Sequence, residues 1–355
     1  MKTHNQIKNV GSIDCSGISF EIHDASHEGA LLNNKSIEFK VKPINFKGVI
    51  YAILWNILWS FGPLLLGIAY RYTNVRAYEI VYWKAIIMNV LNYFLCKYYT
   101  VLFPAEINGK SVTVDIIGLP KDVRLAATIR AIIGAIALWW YFGGTMYLSI
   151  SKCNILFFTG PLYVPFMAYY FLGEPISKID IFALTMGFIG MMLINNPFTD
   201  HEIGENELLG VALSLTGGVT SSIAWVAIRK MSSKCHFTVA PFYFSLGWTV
   251  VGSFLYIFSV QGQTNEVEYS SLALSLLITI GLITFIGQLL QALAYEYEKA
   301  SRVAVFYYLQ TFLVFLYDYF FFGTTYGVIE LIGAFLIIGW NLIVGVMKFM
   351  GMLED

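Results

Sequence analysis

Four sets of uncharged polar side chains recur at helical spacing in this chain. Asn56, Trp59 and Ser60 stand at i, i+3 and i+4, so one helical face would present an amide, an indole N–H and a hydroxyl together. Gln288, Gln291 and Tyr295 stand at i, i+3 and i+7, and Tyr307, Gln310 and Thr311 at i, i+3 and i+4. Gly217, Gly218, Ser221, Ser222 and Trp225 combine small residues, hydroxyls and one large ring. Groups of this kind bind a small polar molecule by donating and accepting hydrogen bonds, and they supply no nucleophile or general base. Two cations, Lys84 and Arg130, lie among apolar residues near the ends of their segments. Pointing inward, they are counter-charges for an anionic substrate or its carboxylate. Pointing outward, they snorkel to the headgroups.

Other chemistries lack their residues. No Gly-x-x-x-x-Gly-Lys-Ser/Thr loop is present. All five His (His4, His23, His27, His201, His236) fall in the N-terminal region or in loops, so neither a buried metal site nor a His relay is expected. The four Cys (Cys15, Cys96, Cys153, Cys235) share no short spacing. No catalytic residue, metal ligand or cofactor is assigned, and enzymatic activity is not expected. A net charge of −1 gives no case for nucleic acid.

The elements that must position the polar sets are membrane-spanning helices. The 355 residues are 57% hydrophobic and 13% charged, where a soluble domain carries about 25% charge; mean hydropathy is +0.65. Charge-free stretches recur at Val49–Tyr70, Ala131–Ser151, Cys153–Gly173, Ile181–Thr199, Leu208–Ile228, Phe237–Asn265, Tyr269–Tyr295, Val303–Tyr317 and Leu331–Lys348, the last up to its final Lys. Glu79–Phe103 is apolar apart from Glu79, Lys84 and Lys97. A span needs about 20 residues, and open sheet edges cannot sit in hydrocarbon, so these ten segments are read as helices. Residues 1–45 are polar, match no signal peptide, and are expected to form a disordered cytosolic tail. With the N-terminus in the cytosol, nearly every Lys and Arg, including Lys121, Arg229, Lys299 and Arg302, falls on cytosolic flanks; the opposite loops hold only Arg71, Arg76 and Lys152. Both termini are therefore expected in the cytosol, which leaves the Asn34-Lys-Ser36 sequon unused.

The chain also repeats itself. Gly48-Val49 opens the first span and Gly210-Val211 the sixth; later, Tyr147 to Lys152 lies over Tyr297 to Arg302, Gly173 over Gly323 and Asp180 over Glu330. Each half then holds five spans. An odd number turns the second copy upside down, the inverted-repeat architecture of many secondary transporters. The overlay sets Asn56 on Gly218, and Trp59 and Ser60 on Ser221 and Ser222, so both helices are expected to line one pseudo-symmetric cavity. Helix packing is the competing reading, at about 0.6 kcal/mol per polar contact; three amide- or aromatic-bearing faces on repeat-related helices favour the cavity. Trp139, Trp140 and Trp248 are read as lipid-facing or packing residues.

From Ala77-Tyr78-Glu79, Arg130 with Gly134, Pro161, the turn Leu172-Gly-Glu-Pro-Ile-Ser177, Asp180 and Gly187-Phe-Ile-Gly190, the chain resembles EamA-type carriers of the drug/metabolite transporter superfamily, and is similar to solute carrier family 35. The resemblance covers about residues 46–348, and implies an all-α membrane protein of ten transmembrane helices in two inverted five-helix repeats, 46–196 and 207–348. It departs at Phe322-Gly323-Thr324-Thr325, which lacks the Glu-Pro, and at Lys84, where relatives often carry Arg. The expectation is a secondary transporter for a small polar metabolite or organic anion, working by facilitated diffusion or exchange, with the lipid bilayer and the substrate as partners and a homodimer compatible with the sequence. A transport-inactive scaffold on the same fold is the alternative.

Overall fold

A 26-residue helix is about 39 Å long, enough to cross a hydrocarbon layer of about 30 Å. The computed structural model of the chain consists almost entirely of such elements. It describes residues 46–352 except 103–105, 108–109, 112–113, 115, 149, 196–206, 233, 261–268, 324 and 351. The expected cytosolic tail, 1–45, and its sequon lie outside the described residues.

The helices are α1 (Lys47–Tyr72), α2 (Ala77–Leu102), α3 (Lys121–Gly144), α4 (Ile150–Phe157), α5 (Gly160–Leu172), α6 (Lys178–Asn195), α7 (Glu207–Ser232), α8 (Val239–Val260), α9 (Ser271–Tyr297), α10 (Ala300–Val305), α11 (Tyr307–Phe322) and α12 (Val328–Phe349). Between α2 and α3, strand β1 (Glu106–Ile107) pairs antiparallel with β2 (Lys110–Ser111). Among the described residues nine spans are both long and apolar enough to cross a membrane, counting α4 with α5 and α10 with α11 as one each. The tenth, α2, matches α1 at 26 residues and is less apolar because it carries Glu79, Lys84 and Lys97. Polarity is arranged inside-out: Asn56, Ser60, Asn92, Ser222 and Gln291 are fully buried, whereas Phe335, Phe320 and Leu342 are largely exposed to the surroundings of the bundle. That is the distribution a lipid solvent selects.

Helix pairing follows a pseudo-two-fold pattern. α1 packs on α9 as α3 packs on α7; α1 on α11 as α5 on α7; α2 on α9 as α3 on α8. The pairs α2–α8 and α6–α12 each relate a span to its own counterpart in the other half. Local geometry repeats as well. Gly173 and Gly323, which end α5 and α11, hold φ of 71° and 69°, the left-handed C-cap that glycine adopts without strain.

The helices depart from the sequence reading most consequentially at one start and two internal breaks. α3 begins at Lys121, ten residues before Ala131, because its first turns carry Lys121, Asp122, Arg124 and Arg130 and so fail a charge-free criterion. The fourth span breaks at Phe158–Thr159, and Pro161 stands in the first turn of the helix that follows. The ninth breaks at Phe306, after the six-residue α10. The two breaks occupy matching spans of the two halves.

At the α6–α12 crossing the backbones touch through glycine. A Cβ on Gly190 would fall 2.6 Å from the Gly333 carbonyl oxygen, and one on Gly333 2.5 Å from that of Gly190. Gly345 has nothing within 4 Å of its Cβ position. Gly190→Leu is therefore expected to abolish the monodisperse gel-filtration peak of the purified protein, and Gly345→Leu to leave it intact. Forced overpacking costs about 1–3 kcal/mol or more, and a backbone carbonyl cannot swing aside. A normal peak for Gly190→Leu would show that this crossing is looser than described.

Candidate functional site

Arg130 lies in the third turn of α3 with 2% of its surface exposed. Its Nη2 donates to Gln288 Oε1 at 3.1 Å and to Gln291 Oε1 at 3.3 Å, both on α9. The guanidinium carbon sits 3.9 Å from the centroid of the Phe244 ring of α8. Gly134, one turn beyond Arg130, makes room for that ring, since a Cβ there would approach Phe244 to 3.3 Å. The snorkelling reading of Arg130 is thus excluded: its head is turned to the bundle axis, onto two amides and an aromatic face.

The α9 face extends the cluster. Gln291 Nε2 donates to Tyr307 Oη at 2.7 Å, and Tyr295 is fully buried one turn on. Tyr307 is the first residue of α11, so the break at Phe306 sets its ring into the centre. That ring lies 4.1 Å from Trp225 of α7 and meets Trp55 of α1 edge-on at 4.5 Å. Trp59 packs on Trp55 at 5.6 Å and fits beside α9 only because residue 287 is glycine. Six helices drawn from both halves converge here.

The remaining predicted residues are placed as follows. Asn56 is fully buried and donates to Ala52 O at 2.7 Å, with Oδ1 left without a partner. Ser60 donates to Ile57 O and lies 3.1 Å from Tyr317 Oη, tying α1 to α11. Ser221 and Ser222 donate to Gly218 O and Val219 O within α7. Their helix presses on the break in the fourth span, where Gly218 faces Phe157 O and Thr159 Oγ1. Gln310 is half-buried on α11 beyond Tyr307. Lys84 of α2 lies with its Nζ 4.1 Å from the Trp248 centroid, and Trp248 packs on Phe244 at 5.3 Å. Trp248 is 9% exposed, so of the two roles read for it the lipid-facing one does not hold. Trp139, at 44%, is exposed.

Trp55 and Phe244 escaped the sequence reading. Each forms an i, i+4 aromatic pair, Trp55 with Trp59 and Phe244 with Trp248, and that spacing is the signal the sequence carries for them.

Around Arg130 the buried groups without a partner are mostly donors: Trp55 Nε1, Trp59 Nε1, Arg130 Nε, Trp248 Nε1 and Gln288 Nε2. Buried polar groups are normally paired. Asn56 Oδ1, Asn92 Oδ1 and Tyr295 Oη are the unpartnered oxygens of the same region, so unpaired N–H donors outnumber unpaired oxygens there. No carboxylate lies within ion-pair reach of Arg130 or Lys84 among the described residues. Glu79, at the start of α2, accepts from Arg76 N and Tyr269 Oη at the end of the bundle. The side chain of Asp318, the other acidic candidate, lies outside the described residues. No group of three or more His, Cys, Asp or Glu among the described residues is gathered as metal ligands would be.

Carboxylates gather instead at the end where α1 starts. Glu174, in the turn after α5, accepts from Arg229 Nε at 2.7 Å and from the Ala300 N–H of α10 at 3.0 Å. Asp180 accepts from Ser301 Oγ at 2.9 Å and stands 3.9 Å from Arg302 Nε. Arg302 pairs with Glu298 at 2.5 Å. Arg302, counted from the sequence as a flanking cation, is 2% exposed, because α10 is inserted among α5, α6 and α9. The network joins the first half, through Glu174 and Asp180, to the second. At the matching position of the second half the sequence has Thr324 in place of Glu174.

Apolar spans and family membership together identify a multi-pass membrane transporter of some small substrate. The chain belongs to the EamA-like transporter family, which it matches over residues 46–196 and again over 208–345. It is 27% identical over 228 residues to a probable transport protein of Saccharomyces cerevisiae, covering 59% of this chain and 64% of that protein. It is 26% identical to the pseudopaline exporter CntI of Pseudomonas aeruginosa, over 73% of this chain and 81% of that one. To solute carrier family 35 member G1 of Homo sapiens it is 24% identical, over 80% of this chain and 74% of that one. A solved crystal structure superposes with a TM-score of 0.68 at 14% identity, covering 87% of this chain and 99% of its own; it shares the fold.

Proposed function

We propose that the protein carries a small organic anion across a membrane by alternating access, binding it between the two repeats at Arg130. The two units, 46–196 and 207–348, rock about the central cluster, with both termini in the cytosol. The observation behind this reading is the set of buried N–H donors around a guanidinium that faces only neutral amides and a phenyl ring. An anion supplies the missing acceptors and the missing charge. Charge-assisted hydrogen bonds of this kind are about twice as strong as neutral ones. A centre of cations and neutral amides suits facilitated diffusion or exchange better than proton coupling. The Pseudomonas relative is named a pseudopaline exporter; what we carry over is the movement of a solute across the membrane, not that compound.

The reading is tested by a thermal-shift screen of the purified protein against metabolite anions and their neutral amides or esters. Anions are expected to raise the melting temperature, their neutral analogues to leave it alone, and Gln291→Ala to weaken the effect. Uptake of a stabilising anion into liposomes should saturate and show counterflow. Equal stabilisation by neutral analogues removes the anion from the reading; binding without flux leaves a scaffold.

A further inference from the structure

A second cation faces the same aromatic wall as Arg130. On α2, Lys84, Met88 and Asn92 share one face at i, i+4 and i+8, and Met88 and Asn92 are fully buried, so this face is turned into the bundle. The Lys84 ammonium lies over Trp248. The Arg130 guanidinium lies over Phe244, one turn earlier on the same helix. The two rings pack at 5.3 Å. Lys84 approaches from the end of the bundle where α2 starts and Arg130 from the end where α3 starts, so the cations flank the mid-depth of the bundle from opposite sides. Neither has a carboxylate partner among the described residues. The orphan donors Trp248 Nε1 and Gln288 Nε2 accompany one cation each.

We infer that the substrate is a dianion, in the sense of two separate anionic groups on one molecule, one held on Arg130 and the other on Lys84, along the Phe244–Trp248 wall. This rests on the anion-carrier reading above and names its substrate class. The shared chemistry is a pair of anionic oxygen groups on one short skeleton: a dicarboxylate, or a carboxylate with a phosphate. A monoanion satisfies one cation and leaves the other desolvated, so the second charge acts as the specificity determinant.

The test is equilibrium binding to the purified protein, read by tryptophan fluorescence, since Trp55, Trp225 and Trp248 surround the site. The probes are succinate, glutarate and adipate, the monoamide of each, and 3-phosphoglycerate with its methyl ester. At least one dianion is expected to bind ten-fold or more tighter than the derivative lacking one charge. Lys84→Gln should bring the dianion's affinity to the level of that derivative while leaving the derivative's own affinity unchanged. Lys84→Arg, which keeps the charge, should retain the preference and controls for folding. The dicarboxylate and phosphate arms separate the two sources. The inference is overturned if derivatives bind as tightly as their dianions, if Lys84→Gln leaves dianion binding intact, or if no dianion binds. Arg130-dependent binding of monoanions alone would sink it and leave the carrier reading standing; binding of no anion at all would sink both.

Discussion

Arg130→Met is expected to weaken anion binding and transport by about 10- to 100-fold while leaving the unliganded protein as stable as before, or more so. The side chain is fully enclosed, and its charge meets neutral partners only. Enclosing a cation costs several kcal/mol even after relaxation. Two amide hydrogen bonds and a cation–π contact worth about 2 kcal/mol when desolvated return part of that. Methionine has a similar length, fills the space over Phe244 and removes the desolvation cost. A bound anion, by contrast, loses a charge-assisted interaction of about 1.5–3 kcal/mol, or about 10- to 100-fold in affinity. The signature is opposite movement of two readouts: the melting temperature without ligand holds or rises, and the shift at a fixed ligand concentration falls sharply. Arg130→Lys should keep a fraction of the shift, because an ammonium restores charge without the fork that spans Gln288 and Gln291. A large fall in basal stability for Arg130→Met would assign this residue to the architecture and not to the substrate.

For Arg302→Met the sign is reversed. Here the cation is clamped between Glu298 and Asp180, with exposures of 2% for Arg302 and 0% for Asp180. Removing it leaves two buried carboxylates facing each other across the junction of the repeats. Breaking a buried pair in this way costs about 3–5 kcal/mol, a large part of a typical folding free energy. Purified Arg302→Met should lose its folded gel-filtration peak at temperatures the parent withstands. Adding Glu298→Gln and Asp180→Asn to Arg302→Met should recover much of the loss, because the burden is the uncompensated charge and not the missing methylenes. If Arg302→Met alone matches the parent, the network is not the clamp its geometry indicates.

Much of the centre was legible from spacing. Lipid permits only helices here, so a 3.6-residue period could be applied to every apolar segment. It picked out the Gln288–Gln291–Tyr295 face and Tyr307, and the rarity of intramembrane charge picked out Arg130 and Lys84. Where the reading fell short, the missing information was three-dimensional. An aromatic residue in a uniformly apolar helix looks the same whether it meets lipid or a guanidinium, which hid Phe244 and the role of Trp248. A serine in a glycine-rich helix can line a cavity or return its hydroxyl to its own backbone, as Ser221 and Ser222 do. A charge beside an apolar stretch looks like a flank, and so the first turns of α3 and the burial of Arg302 went unseen.

By itself the sequence determined the lipid environment, the ten crossings and their five-plus-five repetition, because hydrophobic length and period are properties of contiguous residues. The tertiary structure decided which cations face inward, which aromatic residues stand beneath them, and that the carboxylates are gathered at one end of the bundle and absent from the vicinity of Arg130. Those outcomes depend on pairs more than a hundred residues apart, such as Arg130 with Gln288 and Asp180 with Ser301, whose meeting is set by helix packing and leaves no mark on local spacing.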